Sequence, residues 1–200
     1  MSKPLHESHP WAGTPVPRGT QAKVYRSVDG VSFKKGMRQL ASGVSIVTTG
    51  DGATGRAGFT ATAVCSVSAE PPLLLVCVNA NSSTHSKIRE WKNFCVNVLS
   101  SAQVPVARHF AGASSAAASR FGMGDWSTLE TGAPVLKGCP VNFDCTLAQE
   151  VQAGTHTIFI GNVAAVSVIA GLEPLAFVDG QYLNIVTTKR GPDADLWDWS

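Results

Sequence analysis

The clearest pattern in the chain runs from Gly58 to Asn79 and reads GFTATAVCSVSAEPPLLLVCVN. Its odd positions Phe59, Ala61, Ala63, Cys65, Val67 and Ala69 are apolar. Thr60, Thr62, Ser66 and Ser68 between them carry hydroxyls, and only Val64 departs from the alternation. A period of two predicts a half-buried strand, with one face in a core and the other lined by hydrogen-bonding groups. Glu70-Pro71-Pro72 ends it, because proline gives no N–H to a ladder and restricts the residue before it. Leu73 to Val78 is then apolar at every position, as in a strand covered on both faces, and it stops at Asn79-Ala80-Asn81. The two stretches together predict a wall suited to a flat, polar ligand.

The same reading extends along the chain. Phe33, Met37 and Leu40 share one face of a helix expected from about Ser32, with basic residues opposite. Gly43 ends it, and Val44 to Thr49 follows as a strand. Gly50-Asp51-Gly52-Ala53-Thr54-Gly55 matches G-x-G-x-x-G, but a dinucleotide fingerprint needs a helix to open there, and the next element is the alternating strand. A hairpin turn is the better reading. Ser82, Ser83 or Thr84 caps a short helix over SSTHSKIREWKN, whose narrow apolar side is Ile88 and Trp91. Phe94 to Leu99 is another strand. Ser101 caps a second helix, with Pro105 in its first turn and Ala107 and Phe110 facing inward.

GASSAAASRFGMG is rich in small residues and reads as a helix or loop. Val141, Phe143, Cys145 and Leu147 restore the alternation, and His156 to Val168 continues as one or two strands. PLAFV-DG-QYLNIV closes as a hairpin on Asp179-Gly180. About seven strands, short inserted helices and no beta-alpha-beta alternation predict a mainly antiparallel sheet closed into a barrel. Residues 1–27 and 187–200 lack periodicity and read as an N-terminal arm and a C-terminal tail around one domain, 28–186.

Composition narrows the function classes. Two hundred residues, 44% hydrophobic and 15% charged, describe one soluble globular domain. A net charge of +2 without a basic run gives no electrostatic case for nucleic acid. No apolar run approaches the roughly 18 residues that a membrane span needs, and the N-terminus has no signal-peptide core. Five cysteines (65, 77, 95, 139 and 145) without a C-x-x-C favour reduced, buried thiols in a cytoplasmic protein.

Candidate chemistry is sparse. No G-x-S-x-G elbow anchors a hydrolase. His85, His109 and His156 are far apart, so no metal site is expected. Asn79, Asn81, Ser82, Ser83 and Thr84 bunch amides and hydroxyls at a helix start with Lys87 one turn along, which fits either a phosphate cradle or a plain N-cap. His156, in GTHTIFIG, is either a ligand contact at the sheet rim or a satisfied turn histidine.

GVSIVTTGDGATGRAGFTATAVCSVSAEPPLLLVCVN, FCVNVLS with ARHFAG, and GTHTIFIGNV with PLAFVDGQYLNI, in that order over about residues 30–186, resemble the short-chain NAD(P)H:flavin reductase family. These reductases supply reduced flavin to two-component monooxygenases. The resemblance implies a flavin-reductase-like split β-barrel, an antiparallel Greek-key barrel that forms a homodimer. It implies FMN or FAD bound near the subunit interface, with NADH or NADPH as hydride donor. Carried over by position, Thr60, Ala61 and Thr62 face the flavin ring, with Ser66 and Val67 further along the strand. Cys77, Val78 and Asn79 line the neighbouring strand end, and Ser82, Ser83 and Thr84 hold the phosphate with help from Lys87. Phe110 lies beside the flavin, Tyr182 stands near the site, and His156, the catalytic candidate, contacts the nicotinamide. Family members often carry an acidic residue just before this histidine, where Thr155 stands here.

The resemblance implies hydride transfer from nicotinamide C4 to flavin N5, with the protein orienting the two rings. Two other functions fit the same pattern: a non-catalytic flavin-binding split-barrel protein, and a flavin-mediated reductase of a corrin or ferric acceptor.

Overall fold

The alternation from Gly58 is carried by two strands that lie at opposite edges of one sheet. The computed structural model describes residues 28–53, 55–112 and 120–185. The expected arm 1–27, the tail 187–200 and most of the GASSAAASRFGMG segment lie outside these residues. In chain order the elements are α1 (Gly30–Arg38), β1 (Ser42–Gly43), β2 (Ser45–Gly50), β3 (Arg56–Ala61), β4 (Val64–Ser68), β5 (Leu73–Asn79), α2 (Ser83–Trp91) and β6 (Asn93–Val98). A single 3-10 turn leads into α3 (Val104–Ala111), followed by β7 (Trp126–Thr128), β8 (Pro134–Leu136), β9 (Val141–Ala153), β10 (His156–Val168), β11 (Leu175–Val178) and β12 (Gln181–Asn184).

The protein is mainly β. Seven strands form an antiparallel sheet in the order β3-β2-β6-β9-β10-β5-β4, with β1-β11-β12 and β7-β8 as smaller sheets. β3 and β4 are the two edges, so the ladder does not close on itself as a barrel would. The chain nevertheless passes from one edge to the other through Thr62 and Ala63 alone, and a two-residue link cannot span a flat seven-stranded sheet. The sheet must therefore curl until its edges are neighbours. A hydrogen bond from Cys77 N–H to Ala63 O (3.1 Å) ties the crossing to β5.

The crossing also explains Val64. In β3 the odd residues Ala57 and Ala61 are buried and Phe59 packs on the core, whereas in β4 it is Val64 that packs while Cys65 and Val67 are exposed. The break in the pattern marks a change of inward parity between two strands.

The interior of the curl is filled by Val47, Val76, Val78, Phe94, Val96, Cys145 and Phe159, with Ile88 of α2 packed in. A second cluster, including Ile46, Leu99, Ala107, Phe110 and Leu136, lies under α3 on the other face of β2. Ile46 enters this cluster and its neighbour Val47 the other, so β2 is covered on both faces and all its residues are buried. At Gly161 the β9–β10 register shifts, and a Cβ there would stand 2.5 Å from Phe94 Cζ, so the absence of a side chain lets the strand close over the phenyl ring.

Two even positions of β9, Asn142 and Asp144, are buried (3% and 0% exposed) beneath β8 and the segment before it, whereas Thr146, Ala148, Glu150 and Gln152 further along the strand are exposed. Asn97 joins this layer. Its Oδ1 accepts from Leu136 N–H (2.8 Å) and Asn142 Nδ2 (2.9 Å), and its Nδ2 donates to Ile46 O (2.9 Å) and Thr48 Oγ1 (3.1 Å). Asp144 accepts from the amide and hydroxyl of Thr131. Polar side chains are tolerated there because nearly all their hydrogen-bonding capacity is met. The turns hold as expected: β2 pairs with β3 across the glycine-rich segment, and Asp179 and Gly180 both take positive φ (48° and 82°), as a type I′ hairpin requires.

Candidate active site

Where β3 leaves the sheet, β5 ends and β10 begins, three chain segments converge. His156, the first residue of β10, pairs directly with Asn79, the last of β5. The β9–β10 turn leans on the loop after β5, with Ala80 N–H donating to Thr155 O (3.0 Å). A cavity of about 540 Å³ opens here. Thr60, Ala61 and Thr62 form one wall, and Cys77, Asn79 and Ser82 with His156 form another.

The loop between β5 and α2 is shaped by its own side chains. Asn79 Oδ1 accepts from Asn81 N–H (2.9 Å), and Asn79 O accepts from Ser82 N–H (2.9 Å). Ser82 is the N-cap of α2: its Oγ accepts from Thr84 N–H (3.2 Å). The first turn of α2 thus begins at a residue that lines the cavity, and brings the positive end of the helix dipole to its rim. Ser83 is exposed. Thr84 is fully buried, and its Oγ1 is the sole buried side-chain nitrogen or oxygen without a hydrogen-bond partner among the described residues.

Other expected site residues lie elsewhere. Ser66 and Val67 are on β4, and Ser66 lines a separate apolar groove with Leu73, Phe143, Val163 and Val166. The parity change at Val64 carried them away. Val78 is fully buried with its side chain in the core, so only its backbone is near the cavity. Phe110 is 2% exposed and packs edge-on to Phe121 (5.3 Å) behind β3. Tyr182 meets Phe177 edge-to-face (5.2 Å) under the Arg108 guanidinium (5.7 Å). Lys87 is engaged by Glu90 (2.8 Å) and lies over the Trp91 ring (5.0 Å). Thr60 lines the cavity, but its hydroxyl donates to Ala107 O (2.6 Å) and holds α3 against β3.

Sequence reasoning missed four lining residues, of which Phe59 and Ala63 flank the Thr60–Thr62 run. Phe33 and Met37 of α1 line the same cavity, although α1 buries none of its side chains. Their helical spacing was visible, but nothing local says which surface such a stripe faces. Thr155 also gains a role, since its Oγ1 is 3.0 Å from His156 Nδ1 and occupies the position of the expected acidic partner.

Among the described residues no cluster of His, Cys, Asp and Glu is arranged to hold a metal, and no helix is long and apolar enough to cross a membrane. The cavity instead combines an apolar lining, the polar side chains of Thr60, Thr62, Asn79 and Ser82, and one imidazole, a set suited to a planar heterocycle bearing a phosphate.

Comparison with known proteins gives a consistent picture. Residues 37–186 match the family described as flavin reductase like domain. The chain is similar to FMN reductase (NADH) RutF of Bradyrhizobium diazoefficiens, with 42% identity over 167 residues, 82% of this chain and 92% of that protein. It is also similar to the solved structure of Streptomyces globisporus C-1027 NADH:FAD oxidoreductase SgcE6 in complex with NAD and FAD fragments. That likeness has a TM-score of 0.72 and 31% identity over 87% of this chain and 100% of the other. BorF, the flavin reductase component of a bacterial two-component tryptophan halogenase, gives a TM-score of 0.74 and 30% identity over 80% of this chain and 100% of its own.

Proposed function

We propose that this chain, which belongs to the flavin reductase like family, is an NADH-dependent FMN reductase that supplies reduced flavin to a partner monooxygenase. The observation that carries this reading is the meeting of His156, Asn79 and the first turn of α2 at one apolar-walled cavity. Bound flavin supplies the two-electron chemistry. The protein's own residues do the rest. The β3 end and the Thr62-Ala63 crossing present backbone groups to the ring edge, and Cys77 and Asn79 support it from β5. The amides of the α2 first turn, with Ser82 and Ser83, hold the phosphate as a helix N-terminus holds an anion. The buried, unpartnered Thr84 Oγ1 behind that turn supports the fit. His156, at the rim, would hold and orient the nicotinamide.

The FMN preference and the NADH preference rest on similarity to reductases that carry those names. The curl that brings β3 and β4 together supports a split barrel, and the apolar groove along β4 supports a homodimer in which a second copy covers it. Free thiols and a nicotinamide substrate fit a cytoplasmic location.

The test is aerobic NADH oxidation by the purified protein with FMN, then with FAD and NADPH. Turnover that needs added flavin is the expected result. Flavin binding without any nicotinamide oxidation would leave a carrier in place of a reductase.

A further inference from the structure

Behind the His156 turn, three side chains from three elements form a hydrogen-bonded line whose proton positions are fixed by geometry. Gln152 of β9 stands directly opposite Thr157 of β10. Its amide nitrogen donates to Gly154 O (3.0 Å) and His156 O (3.3 Å). The reverse orientation would set its oxygen against two carbonyl oxygens, so Oε1 must point the other way, where it lies 3.2 Å from Thr157 Oγ1. Gln152 Oε1 has no proton to give, so the single hydroxyl proton of Thr157 lies between them. Thr157 Oγ1 therefore accepts from its other partner, His85 Nε2, at 2.9 Å. His85 must carry a proton on Nε2.

The line is built into the fold. Thr157 is 3% exposed, and the His85 ring rests on fully buried Phe159 with centroids 5.2 Å apart. The Arg89–Glu150 ion pair (3.0 Å) lines the same small cavity of about 260 Å³ and bridges α2 to β9 beside it.

We propose that His85 is a positioning residue for the reductase reaction. Through Thr157 and Gln152 it fixes the β9–β10 turn, and hence His156, relative to α2, whose first turn is the proposed phosphate cradle. The inference rests on the reductase reading in assigning His156 to the nicotinamide. The line joins the half of the site that holds the phosphate to the half that meets the hydride donor. A loss along it misplaces His156 and leaves the cradle intact, because Ser82 and the amides before Thr84 do not depend on it.

The experiment compares Thr157→Val with Thr157→Ser, and His85→Leu with His85→Gln, in the full chain. Thr157→Val and His85→Leu are expected to raise the KM for NADH about three- to tenfold, the value of one hydrogen bond, with the FMN Kd within about twofold of wild type. Thr157→Ser and His85→Gln, which keep the hydroxyl and an N–H donor, are expected to recover most of the loss. Nitrogen NMR should find neutral His85 as the Nε2–H tautomer, and Thr157→Val should move the His156 ring signals. An Nδ1–H tautomer, or His156 signals that stay in place, overturns the proposal even without turnover. So do equal losses of NADH use and FMN binding in folded variants, which mark a merely structural role. Absence of NADH oxidation by the wild-type protein overturns the reductase reading alone, and the NMR results then decide the positioning.

Discussion

Thr155 Oγ1 lies 3.0 Å from Nδ1 of His156, on the strand's first residue, and no carboxylate stands in that place. A hydroxyl can donate to or accept from the imidazole without fixing a positive charge on it, whereas a carboxylate favours the imidazolium. The contact therefore orients the ring.

Thr155→Val removes this partner while keeping shape and exposure. The KM for NADH should rise about two- to tenfold, as expected for one partly exposed hydrogen bond, while flavin affinity holds. Steady-state kinetics paired with flavin fluorescence titration checks it, and an unchanged KM would show that the ring is oriented by something else.

Asn97 is the most heavily used side chain of the buried layer between β2, β6, β8 and β9. Asn97→Ala strands the Leu136 amide in a dry setting, removes partners of Asn142 and Ile46, and should cost about 3 kcal/mol. Denaturant unfolding measures it. A loss below about 1 kcal/mol would mean that water replaces the amide, contrary to its complete burial.

Gly161→Ala tests the close approach of β10 to Phe94. The added methyl would fall 2.5 Å from Phe94 Cζ and 2.8 Å from Cys145 Cβ, both in the fully buried interior. Overpacking of that kind costs about 1–3 kcal/mol. A neutral variant in thermal unfolding would show that the ring can move aside.

The thiols predict a pH dependence. Burial pushes Cys139 up to about 11, and burial with the neighbouring Asp144 charge pushes Cys145 up to about 12; Cys95 is raised for the same two reasons. An unfolded thiol ionises near ~8.5. Above that pH the unfolded chain has lost protons that the native state keeps, so stability is complete below about 8.5 and falls as pH rises towards 11 and 12. Cys145→Ala should flatten part of that slope in denaturant unfolding across the alkaline range. Exposed Cys65 should react with a disulfide reagent in the native state, and Cys95 only on unfolding.

Periodicity located β5, β6, the Asp179-Gly180 hairpin and the cap of α2, because each depends on neighbours in sequence. It also separated the Gly50–Gly55 turn from a dinucleotide loop. It could not divide the stretch from Gly58, since alternation is identical on both sides of a crossing and only Val64 records the change of parity. That single residue decides that Thr60 and Ser66 face different places. The burial of Asn142 and Asp144 was not legible for a similar reason: a polar residue in an alternating strand looks solvated unless the element that covers it, here β8, is known. Lys87 looked free because its partner Glu90 lies three residues on, on the same helix face, and such pairs compete with any ligand.

The convergence at the cavity also bears on how the molecule is made. The β2–β3 and β4–β5 hairpins can form from local chain, but His85 and Thr157 are 72 residues apart, and Asn79 meets His156 only when β10 docks on β5. Loop closure over such separations is slow and comes after local pairing. A folding intermediate could therefore hold most of the sheet and still lack the cavity. Recovery of flavin-fluorescence quenching during refolding should then lag behind the recovery of β-structure, so that the ligand reports the last contact to form.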